Sequence, residues 1–352
     1  MDMSASGYHP YADELPPRVT ATVDWSAEGK QHGHLNVPYS SNESAWGAVR
    51  VPITLIQRFA DNLGNAVMLT GGNHGDEFEG PIALSKLARE LRPEDVNGRV
   101  IIIPALNPPA VRAATRVSPL DGVNMNRAFP GARTGTVTQM ICHYVTSTLL
   151  PMVDGVLDLH AGGKTLSFEP LAAMHYLHDQ RQFQRNLDTL KAINAPHSLI
   201  IDELDAEGEI DGVVEGAGKV FVFTELGGGG TATPNSIALA ERCARNMLNH
   251  FEITQADGHG SPAAQPRTRM MDTPDANSYV IADDNGLLEP LVDLGEQVEA
   301  GQPVARIHNI EKTAAEPAVY HAGRSGMLIG RRWPGVANSG DCLGVIAIDT
   351  DR

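Results

Sequence analysis

Apolar runs alternate with polar, turn-rich stretches along most of this chain. Val51-Pro-Ile-Thr-Leu-Ile56 and Ala66-Val-Met-Leu-Thr70 are short, β-branched runs that predict strands. Leu84, Leu87, Ala88 and Leu91 then recur at helical spacing. Arg99-Val-Ile-Ile-Ile-Pro104 is almost wholly apolar, as expected of a strand covered on both faces. The pattern continues with a helix over about 136–150, a strand over Val153–His160, and weaker strands over Leu171–Leu177 and Ser198–Ile201 flanking a helix near 180–193. A strong strand, Val220–Glu225, precedes a strong helix, Pro234–Phe251. Strands alternating with helices imply an α/β fold, a mixed but mostly parallel sheet flanked by helices. Residues 1–45 read as an irregular lead-in with strand character near its end.

After Phe251 the pattern changes. Residues 255–277 are rich in Pro, Gly, Ala and polar residues, the composition of a linker. Gly286–Ile307 and Gly326–Ile348 then alternate short β runs with glycine turns. The expected organisation is a lead-in over 1–47, a catalytic domain over 48–255, a linker over 256–277 and a C-terminal all-β domain over 278–352. The run Leu291-Val-Asp-Leu-Gly-Glu-Gln-Val-Glu-Ala-Gly-Gln-Pro-Val304 resembles the barrel-sandwich hybrid of biotinyl and lipoyl carriers. Lys312 stands near the place of a carrier lysine, but Ile310-Glu311-Lys312-Thr313 lacks flanking methionines. A structural or oligomerising β domain is therefore expected.

With 352 residues the chain can bury a large core. A formal net charge of −16 argues against nucleic acid and anionic membranes as partners, since both call for basic surface. Cys142, Cys243 and Cys342 are odd in number and irregularly spaced, which excludes a disulfide framework or zinc ribbon. Cys243 falls on the apolar stripe of a helix and reads as core filling. Met1–Pro17 lacks the apolar segment of a signal peptide, so a cytoplasmic location is expected.

The candidate chemistry begins at Gly71-Gly-Asn-His-Gly-Asp-Glu77. His74 and Glu77 are three apart, where a strand gives way to a helix, and one helical turn would put both on one face. An imidazole and a carboxylate aimed at one point supply two ligands of a catalytic zinc site. Asp158-Leu-His160, ending another strand, offers the third. Three protein ligands with one open position is the catalytic arrangement. A carboxylate must also shuttle the water proton to the leaving group. Glu225 suits that role, at the end of an apolar strand and before Leu226-Gly-Gly-Gly-Gly230. Arg116 is placed to stabilise an oxyanion. Asn126 and Arg127 offer an amide and a fork for a substrate carboxylate. Asp158 lies on the same strand face as His160 and is either a support for it or a satisfied buried carboxylate. His143, His175, His178 and His250 have no comparable context; His175 and His178 follow an apolar run and could line the site, but a surface or core histidine is the favoured reading for all four.

Gly-Gly-Asn-His-Gly-Asp-Glu, Asn-Pro-Pro-Ala-Val with Thr-Arg, Asn-Met-Asn-Arg-Ala-Phe-Pro-Gly, Asp-Leu-His and Thr-Glu-Leu-Gly occur in that order. This set resembles the succinylglutamate desuccinylase/aspartoacylase family, a branch of the zinc-carboxypeptidase fold, over roughly residues 48–350. The resemblance implies one Zn2+ held by His74, Glu77 and His160, with Glu225 as general base. It also implies Arg116 as the oxyanion arginine and Asn126 and Arg127 as the carboxylate-binding pair. A homo-oligomer, a dimer, is implied in the same way. Relatives often carry Asp where this chain has Asn124, two residues before Asn126; Asp121 is a candidate substitute.

Further stretches, His32-Gly-His-Leu-Asn-Val-Pro-Tyr-Ser40, Ser44-Ala-Trp-Gly47 and Gly162-Gly-Lys-Thr-Leu166, resemble the branch that deacetylates Nα-acetyl-L-2,4-diaminobutyrate in ectoine degradation. The expected substrate is thus a small Nα-acyl amino acid. Another deacylase or a carboxypeptidase is the alternative, and a non-enzymatic carrier a distant one. Diaminobutyrate carries a cationic side chain, and Asp202-Glu-Leu-Asp-Ala-Glu-Gly-Glu-Ile-Asp211 could receive it. Charge runs are more often solvated loops.

Overall fold

The computed structural model describes residues 15–58, 65–202, 208–255 and 266–352. Its N-terminal part contains strands β1 (Thr20–Ala21), β2 (Gly29–Pro38), β3 (Ala48–Arg58), β4 (Ala66–Gly71), β5 (Gly98–Ile103), β6 (Gly155–His160), β7 (Leu166–Phe168), β8 (Leu171–His175), β9 (His197–Ile201), β10 (Val220–Glu225) and β11 (Arg269–Thr273). Helices α1 (Glu79–Glu90), α2 (Pro108–Ala113), α3 (Val137–Tyr144), α4 (Gln180–Ile193), α5 (Ile210–Gly216) and α6 (Pro234–His250) lie between them. The C-terminal part adds β12 (Tyr279–Ile281), β13 (Gly286–Pro290), β14 (Gln297–Val298), β15 (Pro303–His308), β16 (Ala318–His321), β17 (Gly326–Arg332), β18 (Val336–Ala337) and β19 (Cys342–Asp349). Among the described residues, no helix is long and apolar enough to cross a membrane.

The main sheet runs β1-β2-β3-β5-β4-β6-β10-β8-β9-β11 and continues into β19-β17-β14. Its centre is parallel: β5, β4, β6 and β10 share one direction. β8 then enters antiparallel to β10, which makes the sheet mixed. The central strands read as continuous apolar runs because both faces are covered. Along β5, Val100 and Ile102 point into one core with α1, α4 and α6, while Ile101 and Ile103 point into the other with α3 and α5. Cys243 is buried in the first core and Cys142 in the second, and burial pushes the Cys243 thiol up to about 12.

Two segments differ from the sequence pattern. Gly29–Pro38, expected within an irregular lead-in, is a full strand paired with Ala48–Arg58. Polar residues sit on its exposed positions while Leu35 and Val37 fill the core, so propensity is overridden by pairing. His74 and Glu77 do not share a helix: α1 starts only at Glu79, and the motif is a turn before it. Gly75 explains the turn, since a Cβ there would lie 1.9 Å from the Ala110 carbonyl carbon, so only glycine lets α2 pack against it.

Part of the stretch expected as a linker, residues 256–265, lies outside the described residues. Arg269–Thr273 within that stretch is β11, which pairs with β9 on one side and β19 on the other. Hydrogen bonding therefore runs unbroken from the central sheet into the C-terminal strands. A four-stranded sheet, β16-β15-β13-β18, packs there over a core of its own. Lys312 lies in the connection between β15 and β16.

Candidate active site and metal centre

The site assembles at the C-terminal ends of β4, β6 and β10, where open α/β sheets gather functional groups. His160 ends β6 and Glu225 ends β10, and the two are direct partners in the parallel ladder. The turn after β4 brings His74 and Glu77. His74 Nδ1 lies 2.7 Å from Glu77 Oε1, and His160 Nδ1 lies 2.9 Å from Glu77 Oε2. One donor atom from each of the three residues falls within 4.8 Å of the others, and all three residues are buried.

The far nitrogens fix the ring orientations. His160 Nε2 donates to Asp158 Oδ2 at 2.8 Å, and Asp158 in turn accepts from Thr70 Oγ1 at 2.7 Å and Asn73 Nδ2 at 3.2 Å. His74 Nε2 donates to Asn124 Oδ1 at 3.1 Å. Each Nδ1 then turns a lone pair toward a carboxylate oxygen, and two acceptors so close need a cation between them: a proton or a metal ion. The residues thus fit a zinc ion, with two imidazole nitrogens, one carboxylate and an open side. Asp158 acts as the support for His160. Asp121 does not substitute for the missing acid near His74, because its carboxylate is taken by Thr138 N at 2.9 Å, Thr138 Oγ1 at 3.0 Å and Val123 N at 3.2 Å.

Charge follows the same geometry. Burial disfavours the His160 cation, but Asp158 and Glu77 outweigh it and raise the imidazole well above its ordinary value. Burial also opposes ionisation of Glu77, yet His74 and His160 hold its carboxyl well below the usual range. Glu225 goes the other way: burial, then the charge of Glu77, push it up to about 8. Its Oε2 is enclosed and has no hydrogen-bond partner. A buried carboxylate ready to hold a proton beside a metal position is the property of a general base.

His74, Glu77, His160 and Glu225 line one cavity of about 170 Å³. Arg116 enters it with Nη1 3.7 Å from Glu77 Oε1. Asn126 and Arg127 are also there, as expected, but both are already engaged. Asn126 Oδ1 accepts from Asn73 Nδ2 at 3.1 Å and Ile210 N at 3.2 Å, and its Nδ2 donates to Glu209 Oε2 at 3.3 Å. Arg127 pairs with Glu209 Oε1 through Nη1. A hydrogen-bonded chain therefore joins Asp158, Asn73, Asn126 and Glu209, tying Asn126 to the support of His160.

For this cavity, His175 was one of two histidines that could line the site, Phe221 and Phe223 carried no motif signal, and Glu209 and Asp211 belonged to the acidic run that could receive a cationic side chain. All five line the cavity. Glu203, Asp205 and Glu207 of that run lie outside the described residues. The available signal was position: Phe221, Phe223 and Glu225 share one face of β10 by strand periodicity. The C-terminal part reaches the cavity too. β7, whose Leu166 and Phe168 form part of the wall, pairs with β17 through Gly330↔Phe168 and Arg332↔Leu166. The glycine run after Glu225 serves this packing. A Cβ on Gly228 would lie 2.1 Å from Leu166 O, and one on Gly229 2.7 Å from the Trp333 ring.

Comparison with known proteins agrees with this arrangement. The family model described as the succinylglutamate desuccinylase/aspartoacylase catalytic domain matches residues 63–251. The N-alpha-acetyl-L-2,4-diaminobutyric acid deacetylase of Halomonas elongata is 48% identical over 334 residues, covering 95% of this chain and 96% of that one. The product-bound ectoine utilization protein EutE (DoeB) from Ruegeria pomeroyi superposes with a TM-score of 0.90 at 42% identity, covering 95% of this chain and 99% of its own. A succinylglutamate desuccinylase from Silicibacter sp. gives 0.88 at 46% identity, covering 96% of this chain and 100% of its own.

Proposed function

From the premise that this chain belongs to the succinylglutamate desuccinylase/aspartoacylase family and is an amidohydrolase of it, we propose that it deacetylates Nα-acetyl-L-2,4-diaminobutyrate. The products are acetate and L-2,4-diaminobutyrate, in the breakdown of ectoine. His74, Glu77 and His160 hold one zinc ion. Bound there, zinc lowers the pKa of a water to about 7 and polarises the acyl carbonyl.

The protein's own groups do the rest. Glu225 takes the proton of the attacking water and returns it to the departing amine. Arg116 turns its guanidinium toward the negative charge developing on the acyl oxygen. Asn126 and Arg127 hold the α-carboxylate, Arg127 sharing its fork between the substrate and Glu209. Asp158 and Asn124 keep the two imidazoles aimed at one point. The observation that carries this reading is the ladder pairing of Glu225 with His160, which sets both side chains in the wall of one cavity.

The test is acetate release by zinc-loaded protein from Nα-acetyl-L-2,4-diaminobutyrate, with Nα-acetylaspartate and Nα-succinylglutamate alongside. The first substrate is expected to be turned over best, and chelation to abolish turnover. Turnover of either dicarboxylic substrate in its place would keep a hydrolase and discard this substrate.

A further inference from the structure

One wall of the cavity has no task in the hydrolysis. Phe221, Phe223 and Glu225 lie on a single face of β10, so the wall leads away from the base in steps of about 7 Å. Beside Phe223 stands His175, with ring centroids 5.2 Å apart and the planes stacked, and Phe221 lies 6.3 Å from the same imidazole. Asp211, on α5, completes this end of the cavity. It is only 4% exposed, and its Oδ2 lies 3.4 Å from His175 Nδ1. Glu215, one helical turn further on, puts Oε1 3.2 Å from the same nitrogen.

Glu77 faces its two histidines, Glu225 is the base, and Glu209 takes Arg127 and Asn126. Asp211 sets a carboxyl group beside the aromatic part of the wall. A carboxylate set among ring faces suits an ammonium group on a short methylene arm: the rings cover the methylenes and attract the cation, and the acid accepts its hydrogen bonds. The reach fits as well. Five bonds separate the amide carbon from the side-chain nitrogen of an Nα-acylated diaminobutyrate, about 6 Å when extended. That is one step along β10 from Glu225.

We propose that Asp211, backed by His175 and Glu215 and flanked by Phe221 and Phe223, is the subsite for a cationic substrate side chain. It selects ammonium-bearing acyl amino acids and rejects dicarboxylic ones, whose second carboxylate would face Asp211. This deepens the deacetylase reading and rests on it. The residue determines specificity; it does not enter the bond-breaking step.

The test compares kcat/KM of the zinc-loaded protein for Nα-acetyl-L-2,4-diaminobutyrate and Nα-acetyl-L-norvaline, in which a methyl replaces the ammonium. Wild-type protein is expected to prefer the former by on the order of 100-fold, and Asp211→Asn to bring that ratio below about 10-fold, chiefly through KM. An unchanged ratio, or an equal fall on both substrates, overturns the proposal. So does a second equivalent of bound zinc that Asp211→Asn removes, since the cluster would then be a metal site.

Calorimetry of L-2,4-diaminobutyrate against L-norvaline supplies an arm that needs neither turnover nor a folded variant. Equal binding of the two to wild-type protein overturns the subsite. Diaminobutyrate-selective binding in a protein that hydrolyses none of the acyl amino acids would keep the subsite and discard the deacetylase.

Discussion

Two histidine–carboxylate clusters contribute to the wall of the same cavity, the second through His175 and Asp211. His74, Glu77 and His160 form one; His175, Asp211 and Glu215 form the other, and both bring three donor atoms within 4.8 Å. Their surroundings differ. In the first, each imidazole is held at its far nitrogen, by Asn124 or Asp158, so that two lone pairs converge. The proposed ligands come from a turn and a strand end fixed by the sheet. In the second, one imidazole faces two acids set one turn apart on α5, and its ring lies flat against Phe223. Donor count does not separate a metal centre from a cation-binding wall. The orientation imposed from behind the donors does.

The largest effect that separates the two clusters is on chemistry. Glu225→Gln is expected to lower kcat by about 10³-fold or more while zinc content by atomic absorption stays at one per chain. Wild-type turnover in that variant would remove Glu225 from the mechanism. A smaller effect probes the support. Asp158→Asn should weaken zinc about 10- to 100-fold in a chelator competition, whereas Glu215→Gln should leave zinc affinity alone. Equal sensitivity of zinc to both substitutions would erase the distinction drawn above.

The smallest effect is on stability. The folded pKa of Glu225 is about 8 against an ordinary 4.5, so folding favours its protonated form. Its contribution to stability is full below about pH 4.5 and is lost as pH rises through about 8. Chelated wild-type protein should therefore lose more melting temperature between about pH 5 and 8.5 than chelated Glu225→Gln, by a few degrees. Parallel melting curves for the two proteins would show that the carboxyl is not held protonated.

Much of this was legible in the chain because it is locally encoded. β10 and α4 fall where their apolar periodicity puts them, and α6 ends one residue earlier. The proposed ligands and base lie at strand ends or in a glycine-marked turn, so motif and element boundary coincide. Other features depend on distant partners. The polar strand β2 exists only because β3 pairs with it along ten positions. The turn at His74 depends on the close approach of α2. Asp211 looked like one more acid in a charge run, because nothing local reveals that α5 packs beside β10. His175 reaches the cavity only because β8 enters against the direction of β10.

The pairing of His160 with Glu225 across the β6–β10 ladder has an evolutionary consequence. Reactive groups on neighbouring rungs keep a separation set by backbone hydrogen bonds, which hardly varies among sheets. The carboxylate proposed to meet the substrate's side chain, Asp211, sits on a short helix outside that framework. A descendant can exchange Asp211 and its surroundings, and so move to another acyl amino acid, without disturbing the distance over which the proton is passed. Substrate range can then diversify on an inherited reaction.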